Sequence, residues 1–375
     1  MADFRQVTII GTGLVGGSLG LAIKKLDNPP KVIGVARNQE TLDKAIAKKA
    51  IDKGYLDTTK AVSGSDLVFL AVPVGSIANV LKEIAPYLDK GAIVSDVGST
   101  KSNIVAEAEE LLPKTVNFIG GHPMTGSEQF GVEHASANLF KNSYYILTPT
   151  KKTDTTAFQK LHSLLNKIGA NVIAVDIEKH DLIVATISHL PHIIASALMS
   201  LASKQTKEGQ ASQENWLLLA AGGFRDTTRI AASNPDMWLD ICLENKEAIL
   251  DNIKAYQEVL SKMASLIEAS DNKKLLKALE EARVARVNLP IAKEKELRQL
   301  REILIPVSDK PGVVSDITVT FGQLGLNIED IEIVHTSERR GILRLALDGE
   351  SEAKKAAKAL SDKGYQVEVR KIYGA

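Results

Sequence analysis

The first half of the chain alternates two hydrophobic patterns. Short runs of consecutive apolar, mostly β-branched residues are each followed by a stretch whose apolar positions recur every three or four residues. Residues 7–10 lead into a helical pattern ending at Leu26, 31–35 into one over 40–50, 67–72 into 77–88, and 92–96 into 101–112. Further strands are predicted at 116–119, 144–147 and 172–175. A strand that is apolar at every position is covered on both faces, so the alternation predicts a parallel sheet sandwiched between helices.

From residue 177 to 289 the strand pattern disappears. Helical periodicity runs through 180–203, 214–221, 237–267 and 272–287, which predicts a bundle or an interleaved dimer domain. Pro191 is expected to kink the first of these helices. A polar, charged stretch over 292–301 reads as a linker. The tail then gives a strand at 303–307, a helix at 312–324, strands at 328–334 and 341–347, a helix at 352–362 and a strand at 366–372. That order is βαββαβ, a ferredoxin-like α+β unit of about 75 residues. The expected domains are therefore 1–176, 177–290 and 302–375, in keeping with a 375-residue chain too long for one ordinary core.

Composition narrows the partners. Apolar residues make up 44% and charged residues 25%, as in soluble globular proteins. The 46 basic and 46 acidic side chains cancel, so nothing draws the chain generally to nucleic acid or to an anionic membrane. Any anion must be held by local groups. Cys242 is the single cysteine, which excludes an intrachain disulfide and fits a reducing compartment. It lies in the apolar stretch 238–243, where a buried structural thiol is expected. The N-terminus has no basic leader pattern, and no uninterrupted apolar run reaches the ~18 residues of a membrane span. A cytoplasmic protein is expected, and no metal site is predicted.

The first strand is followed at once by Gly11-Thr12-Gly13-Leu14-Val15-Gly16, which opens the first helix. A GxGxxG turn in that setting is the fingerprint of a Rossmann-type dinucleotide-binding domain. Gly11 permits the tight turn, Gly13 lets the backbone approach a pyrophosphate, and Gly16 lets helix and strand pack closely. Leu14 and Val15 complete the cofactor-binding turn, whose helix N-terminus offers unpaired N–H groups. The second strand ends at Val35-Ala36-Arg37, with Ala36 where an acid usually holds the adenine ribose. A missing carboxylate beside a guanidinium favours a 2′-phosphate, so the cofactor is NAD(P), leaning to NADP. The alternatives are that Arg37 stacks on adenine or that Glu40 reaches the ribose.

Further candidate chemistry follows the later strands. The segment 96–101 (DVGSTK) sits at a C-terminal strand end, where doubly wound sheets place ligands. In 120–128 (GGHPMTGSE), His122 between glycines and a proline is expected on a tight, exposed loop. The first long helix carries His189 and His192 in 188–192 (SHLPH). The segment 222–229 joins a flexible Gly-Gly turn to Arg225 and Arg229, either of which could bind a carboxylate or pair with Asp226.

Together these segments and 222–238 (GGFRDTTRIAASNPDMW) resemble, in family order and over residues 1–290, the prephenate dehydrogenase family. That family includes the cyclohexadienyl and arogenate dehydrogenases of tyrosine biosynthesis. The tail, with Asp309-Lys310-Pro311-Gly312 after its first strand, resembles an ACT domain. The resemblance implies an NAD(P)-dependent oxidative decarboxylation of prephenate to 4-hydroxyphenylpyruvate. It makes His122 the base, with Ser99 orienting it or the substrate hydroxyl, and Arg229 the clamp on a substrate carboxylate. His192 and Ser127 would contact the other end of the substrate, and Glu128 and Trp238 would shape or gate the pocket. His189 and Asp226 would support these residues from behind, and His180 matches a polar position near the pocket. Thr125 departs from the Ala of many members, and Ala36 from the cofactor acid. In the tail, Asp309, Gly312, Asn327 and Ile328 mark where an effector, L-tyrosine by this resemblance, would bind. A homodimer is expected. The alternatives are an arogenate or cyclohexadienyl dehydrogenase, another β-hydroxyacid-type dehydrogenase, and a non-catalytic amino-acid sensor.

Overall fold

The structure is a computed structural model that describes residues 4–125, 129–208, 217, 219–288, 300–308, 310, 312–328, 330–336 and 340–371. The chain divides into two compact units, Met1–Ala269 and Ser270–Ala375.

The first unit is built on an eight-stranded sheet. Its strands are β1 (Gln6–Ile10), β2 (Lys31–Val35), β3 (Lys53–Tyr55), β4 (Leu67–Leu70), β5 (Ile93–Asp96), β6 (Asn117–Pro123), β7 (Tyr144–Thr148) and β8 (Asn171–Ala174), in the order β3-β2-β1-β4-β5-β6-β7-β8. The first six strands form the 3-2-1-4-5-6 order of a dinucleotide-binding sheet. Helices α1 (Leu14–Ile23), α2 (Gln39–Ala47), α3 (Thr58–Val62), α4 (Ile77–Ile84), α5 (Ser102–Leu111) and α6 (Thr155–Lys167) cover it. Alternate residues of one strand serve opposite layers. Leu67 and Phe69 join one apolar cluster with Val7, Ile9 and Ile93, whereas Val68 and Leu70 join another with Ile10, Ile33 and Val94. That two-sided burial is why these strands are apolar at every position.

The sheet departs from the predicted parallel arrangement at one place. β6 and β7 pair antiparallel, with His122 opposite Ile146. Between them the described residues hold a short 3₁₀ turn, Val132–His134.

The helical part of this unit begins with α7 (Ile177–Val184), continues through a π-helical turn, Ala185–His189, and runs on as α8 (Leu190–Glu208). Pro191 lies just past that turn. A widened turn is one way a helix accommodates a residue without an N–H. The sequence has no uninterrupted apolar run of membrane-spanning length, yet the helix 177–204 is long and apolar enough to cross a membrane by length and composition. It buries His180, Asp181, His189 and His192, and exposes Leu182, Ile187 and Leu201. Next come α9 (Gly222–Thr228), α10 (Pro235–Glu244) and α11 (Lys246–Glu268). The stretch read as one helix over 237–267 is thus two, broken at Asn245, whose backbone leaves the helical region (φ −116°, ψ 34°). Of the predicted helix 214–221, residues 214–216 and 218 lie outside the described residues, and 219–221 are turn and irregular backbone rather than helix.

The second unit holds α12 (Asn272–Val287) and a βαββαβ fold. Its elements are β9 (Leu300–Ser308), α13 (Val313–Gln323), β10 (Asp330–Thr336), β11 (Arg340–Asp348), α14 (Glu350–Asp362) and β12 (Glu368–Lys371). The sheet is antiparallel, ordered β10-β11-β9-β12. Ile303, Ile305 and Val307 of β9 and Leu343, Leu345 and Leu347 of β11 pack against Ile317, Phe321, Ala353, Ala356 and Leu360 of the two helices. The period-two spacing puts every one of those strand residues on the same face.

Candidate active site

The glycine turn has the shape its sequence implies. Gly11 has φ +98°, and a Cβ there would lie 2.2 Å from the Ala71 carbonyl oxygen. A Cβ on Gly16 would lie 1.9 Å from the Gly11 carbonyl oxygen, so the close packing of α1 on β1 requires glycine. Gly13 differs: nothing stands within 4 Å of its Cβ position. It precedes α1 without a side-chain cap. An open approach to a bare helix N-terminus suits a pyrophosphate, and Leu14 and Val15 form the turn of helix behind it. At the end of β2, Ala36 packs against the core and Arg37 is exposed. Glu40 forms an ion pair with Lys44 at 2.7 Å, and Asn38 caps α2 by accepting the Thr41 N–H at 2.9 Å.

A second constellation gathers at the C-terminal ends of β5 and β6. His122 is a residue of β6 itself, half-buried, and not part of an exposed loop as its Gly-Gly-His-Pro setting suggested. The preceding glycines serve close approach: a Cβ on Gly121 would stand 2.6 Å from the Asp96 carbonyl oxygen. Nδ1 of His122 lies 2.9 Å from Nε2 of His180, and Nδ1 of His180 lies 2.7 Å from Oδ1 of Asp181. A carboxylate only accepts, so His180 carries its proton on Nδ1 and presents a bare Nε2. His122 must then donate from Nδ1, which leaves the lone pair of its Nε2 free. The chain Asp181–His180–His122 therefore prepares a base.

The charges agree with that tautomer. Burial alone would raise the Asp181 pKa, but hydrogen bonds from His180 and from Ser102 bring it below the ordinary value, so Asp181 is ionised. Burial, with His180, Lys101 and His189 nearby, holds the His122 pKa well below that of a free imidazole. A neutral His122 at neutral pH can accept a proton.

His189 and His192 complete the cluster. Asn245 donates from Nδ2 to the Asp181 carbonyl at 2.9 Å and to Nδ1 of His189 at 3.2 Å, which puts the His189 proton on Nε2. Burial pushes the His189 pKa down to about 4. His192 stacks on Trp238, with ring centroids 3.5 Å apart and planes 10° from parallel. Burial lowers its pKa too, against a backbone hydrogen bond to Ile230. Among the described residues, Nε2 of His189, Nε2 of His192 and Nε1 of Trp238 are buried polar atoms without a hydrogen-bond partner. Helix α10, which carries Trp238, is tied to the β4–α4 turn by Asp240, whose carboxylate accepts the Gly75 N–H at 3.3 Å.

Among the other predicted residues, Ser99 is partly buried in the turn after β5, and Arg229 is exposed at the start of the 3₁₀ turn Arg229–Ala232, one residue before Ile230. Ser127 and Glu128 lie outside the described residues, as does Asp309. Gly312 has φ +92° and opens α13, Asn327 is exposed, and Ile328 packs against the core of the second unit. Cys242 is half-buried rather than fully buried, and burial raises its thiol pKa, away from thiolate reactivity. Sequence reasoning missed Asp181 and Asn245. The signal for Asp181 was a carboxylate directly after His180 in the sequence.

The chain matches three family models. One, described as prephenate dehydrogenase, nucleotide-binding domain, covers residues 19–174; a second, prephenate dehydrogenase, dimerization domain, covers 176–281; and the third, ACT domain, covers 301–364. The prephenate dehydrogenase of Bacillus subtilis strain 168 is 35% identical over 356 residues, 94% of this chain and 95% of that one. The cyclohexadienyl dehydrogenase of Zymomonas mobilis is 34% identical over 289 residues, 77% of this chain and 97% of that one. Among solved structures, prephenate dehydrogenase from A. aeolicus in complex with hydroxyphenyl propionate and NAD+ superimposes with a TM-score of 0.71 at 32% identity, covering 76% of this chain and 98% of that one. The first model begins at residue 19, so the glycine turn stands on its own geometry.

Proposed function

The chain belongs to the prephenate dehydrogenase family of oxidoreductases, and from that premise we propose that it converts prephenate to 4-hydroxyphenylpyruvate and carbon dioxide. The observation that carries this reading is the chain Asp181–His180–His122, which leaves a neutral imidazole with a free Nε2. A nicotinamide dinucleotide held at the turn of Gly11, Gly13 and Gly16 would supply the acceptor for the hydride of the ring carbinol. His122 Nε2 takes the hydroxyl proton, and the Asp181 carboxylate, acting through His180, stabilises the imidazolium that forms. Loss of the ring carboxylate as carbon dioxide then aromatises the ring and makes the reaction effectively irreversible. Ser99 orients the hydroxyl or His122. Arg229 clamps a substrate carboxylate with paired N–H donors. His192 and Ser127 hold the other end of the substrate, while Glu128 and Trp238 shape the pocket.

The cofactor we favour is NADP. Arg37 is exposed just past the end of β2, Ala36 brings no carboxylate, and Glu40 is engaged by Lys44. A homodimer is supported by the match to a dimerization domain and by the apolar side chains exposed on the helical part, among them Leu239, Leu243, Val259 and Ile267. We assign the cofactor to domain 1–176, the substrate and dimer contacts to 177–290, and regulation to 302–375, where L-tyrosine binds near Gly312 and Asn327. The family and the single cysteine suit the cytoplasm.

Reduction of NAD and NADP followed at 340 nm, each with prephenate and with arogenate, tests the reading. The largest kcat/KM is expected for prephenate with NADP. Absence of reduction with prephenate and either cofactor would overturn it, and a preference for arogenate would move the substrate to the amino compound.

A further inference from the structure

Beneath His122 lie two charges that the reaction does not use. Asp96 ends β5, Lys101 precedes α5, and both are fully buried. Oδ2 of Asp96 accepts the Lys101 ammonium and, at 2.8 Å, the Gly98 N–H. Its Oδ1 accepts the Gly121 N–H at 3.0 Å, the N–H of the residue immediately before His122. The strap that carries this pair also reaches the other side of the base. The backbone N–H of Lys101 donates to Oδ1 of Asp181 and that of Ser102 to Oδ2, each at 2.8 Å. Asp181 is the carboxylate that holds His180 against His122. β6 passes tightly over the strap: a Cβ on Gly120 would lie 3.1 Å from Cδ of Lys101.

We infer that Asp96 and Lys101 are a positioning pair for His122, fixing its backbone through Gly121 and its imidazole through Asp181 and His180. The inference rests on the assignment of His122 as the base. Packing alone does not account for the pair, because removing two charges from water is costly and apolar side chains fill space as well or better. Two things are left that apolar residues cannot do. The Asp96 carboxylate satisfies three donors from separate points of the chain, and the Lys101 ammonium places a positive charge inside the site. The charged and titratable groups around His122 are His180, Asp181 and His189 of the long helix and Lys101 of the strap, with Asp96 paired to Lys101. Lys101 is among the charges that disfavour an imidazolium at His122.

The test compares Lys101→Met, Lys101→Arg and the double variant Asp96→Asn/Lys101→Met in the full chain, using kcat, KM and the pH profile of kcat/KM with prephenate. Lys101→Met is expected to lower kcat about tenfold or more, to leave both KM values within about threefold, and to move the acidic limb upward by at least about half a pH unit. Lys101→Arg keeps the charge and should keep the limb in place. The double variant removes both charges together; it carries the test if the single variant does not fold, and should show a smaller upward shift with kcat still reduced. An unmoved limb in Lys101→Met, or in the double variant where only that folds, would reduce the pair to space filling. A ¹³C NMR titration of the His122 imidazole, assigned against His122→Asn, reads the same shift without turnover. A chain inactive on prephenate would thus defeat the proposed reaction and still leave the strap tested.

Discussion

His122 and His180 meet edge to face, their ring centroids 5.1 Å apart and Nδ1 of one 2.9 Å from Nε2 of the other. Two imidazoles in hydrogen-bond contact can both stay neutral only if one donates. The Asp181 carboxylate decides which, by claiming the Nδ1 proton of His180. The free lone pair on Nε2 of His122 is therefore set two residues away, at Asp181.

Replacing His122 with Asn keeps a polar side chain of similar reach but removes the free Nε2. General-base assistance contributes roughly 10²–10⁴ in rate, so kcat should fall by about that factor. Substrate affinity, measured by equilibrium titration in the presence of oxidised cofactor, should stay near the wild-type value. A kcat within a few-fold of wild type would remove His122 from the base role.

Arg229 is exposed one residue before Ile230, whose backbone hydrogen-bonds His192, and the proposed reaction gives its guanidinium a substrate carboxylate to clamp. A hydrogen bond to a charged group is worth about 1.5–3 kcal/mol, and Arg229→Ala should raise the KM for prephenate roughly 10- to 100-fold. The KM for the dinucleotide should change by less than about threefold, since the glycine turn holds that ligand by backbone groups. Equal losses for both would make Arg229 a structural residue.

The sequence made the glycine turn legible because two of its glycines answer to a local backbone demand: a positive φ at Gly11, a close approach at Gly16. The central strands were legible for a similar reason, since burial on both faces leaves an uninterrupted apolar run. β3 was not, because Lys53-Gly54-Tyr55 is a three-residue edge strand with no apolar pattern to read. Nor was the break at Asn245. Its neighbours continue the helical period, and its amide is spent on Asp181 and His189, far away in sequence. The same holds for the pairing of His122 with His180. His122 stood out by its Gly-Gly-His-Pro setting and His180 only through the family resemblance, but the contact joins a strand end to a helix and depends on how the two pack. Local patterns specify elements; they do not specify which polar groups tertiary packing will bring within 3 Å.

Arg37 offers the cleanest separation of the two nicotinamide cofactors. If its guanidinium binds a 2′-phosphate, Arg37→Ala should weaken NADP roughly 10- to 100-fold and leave NAD within about threefold, on the same scale for a charged hydrogen bond. The ratio of kcat/KM values for the two cofactors measures this directly. Loss of both to the same extent would place Arg37 against the adenine ring instead.

The buried histidines also predict how stability responds to acid. His122, His189 and His192 all have pKa values lowered in the folded chain, His189 to about 4, while an unfolded histidine titrates near 6.5. Above about pH 6.5 neither state binds a proton at these sites, so the full stability is present. As the pH falls below that value the unfolded chain takes up protons that the folded chain refuses, and stability declines until the folded pKa is passed. Each such histidine can contribute a slope of up to about 1.4 kcal/mol per pH unit in that window. Urea unfolding at fixed protein concentration should therefore give a midpoint that is flat between pH 8 and 7 and falls steadily from about 6.5 toward 4. His189→Gln keeps an oxygen that can accept the Asn245 amide, removes one titrating ring, and should make the decline shallower. A midpoint that rises on acidification from pH 7 to 5 would show that these imidazoles are protonated in the folded chain, and with that the neutral base at His122 would be lost.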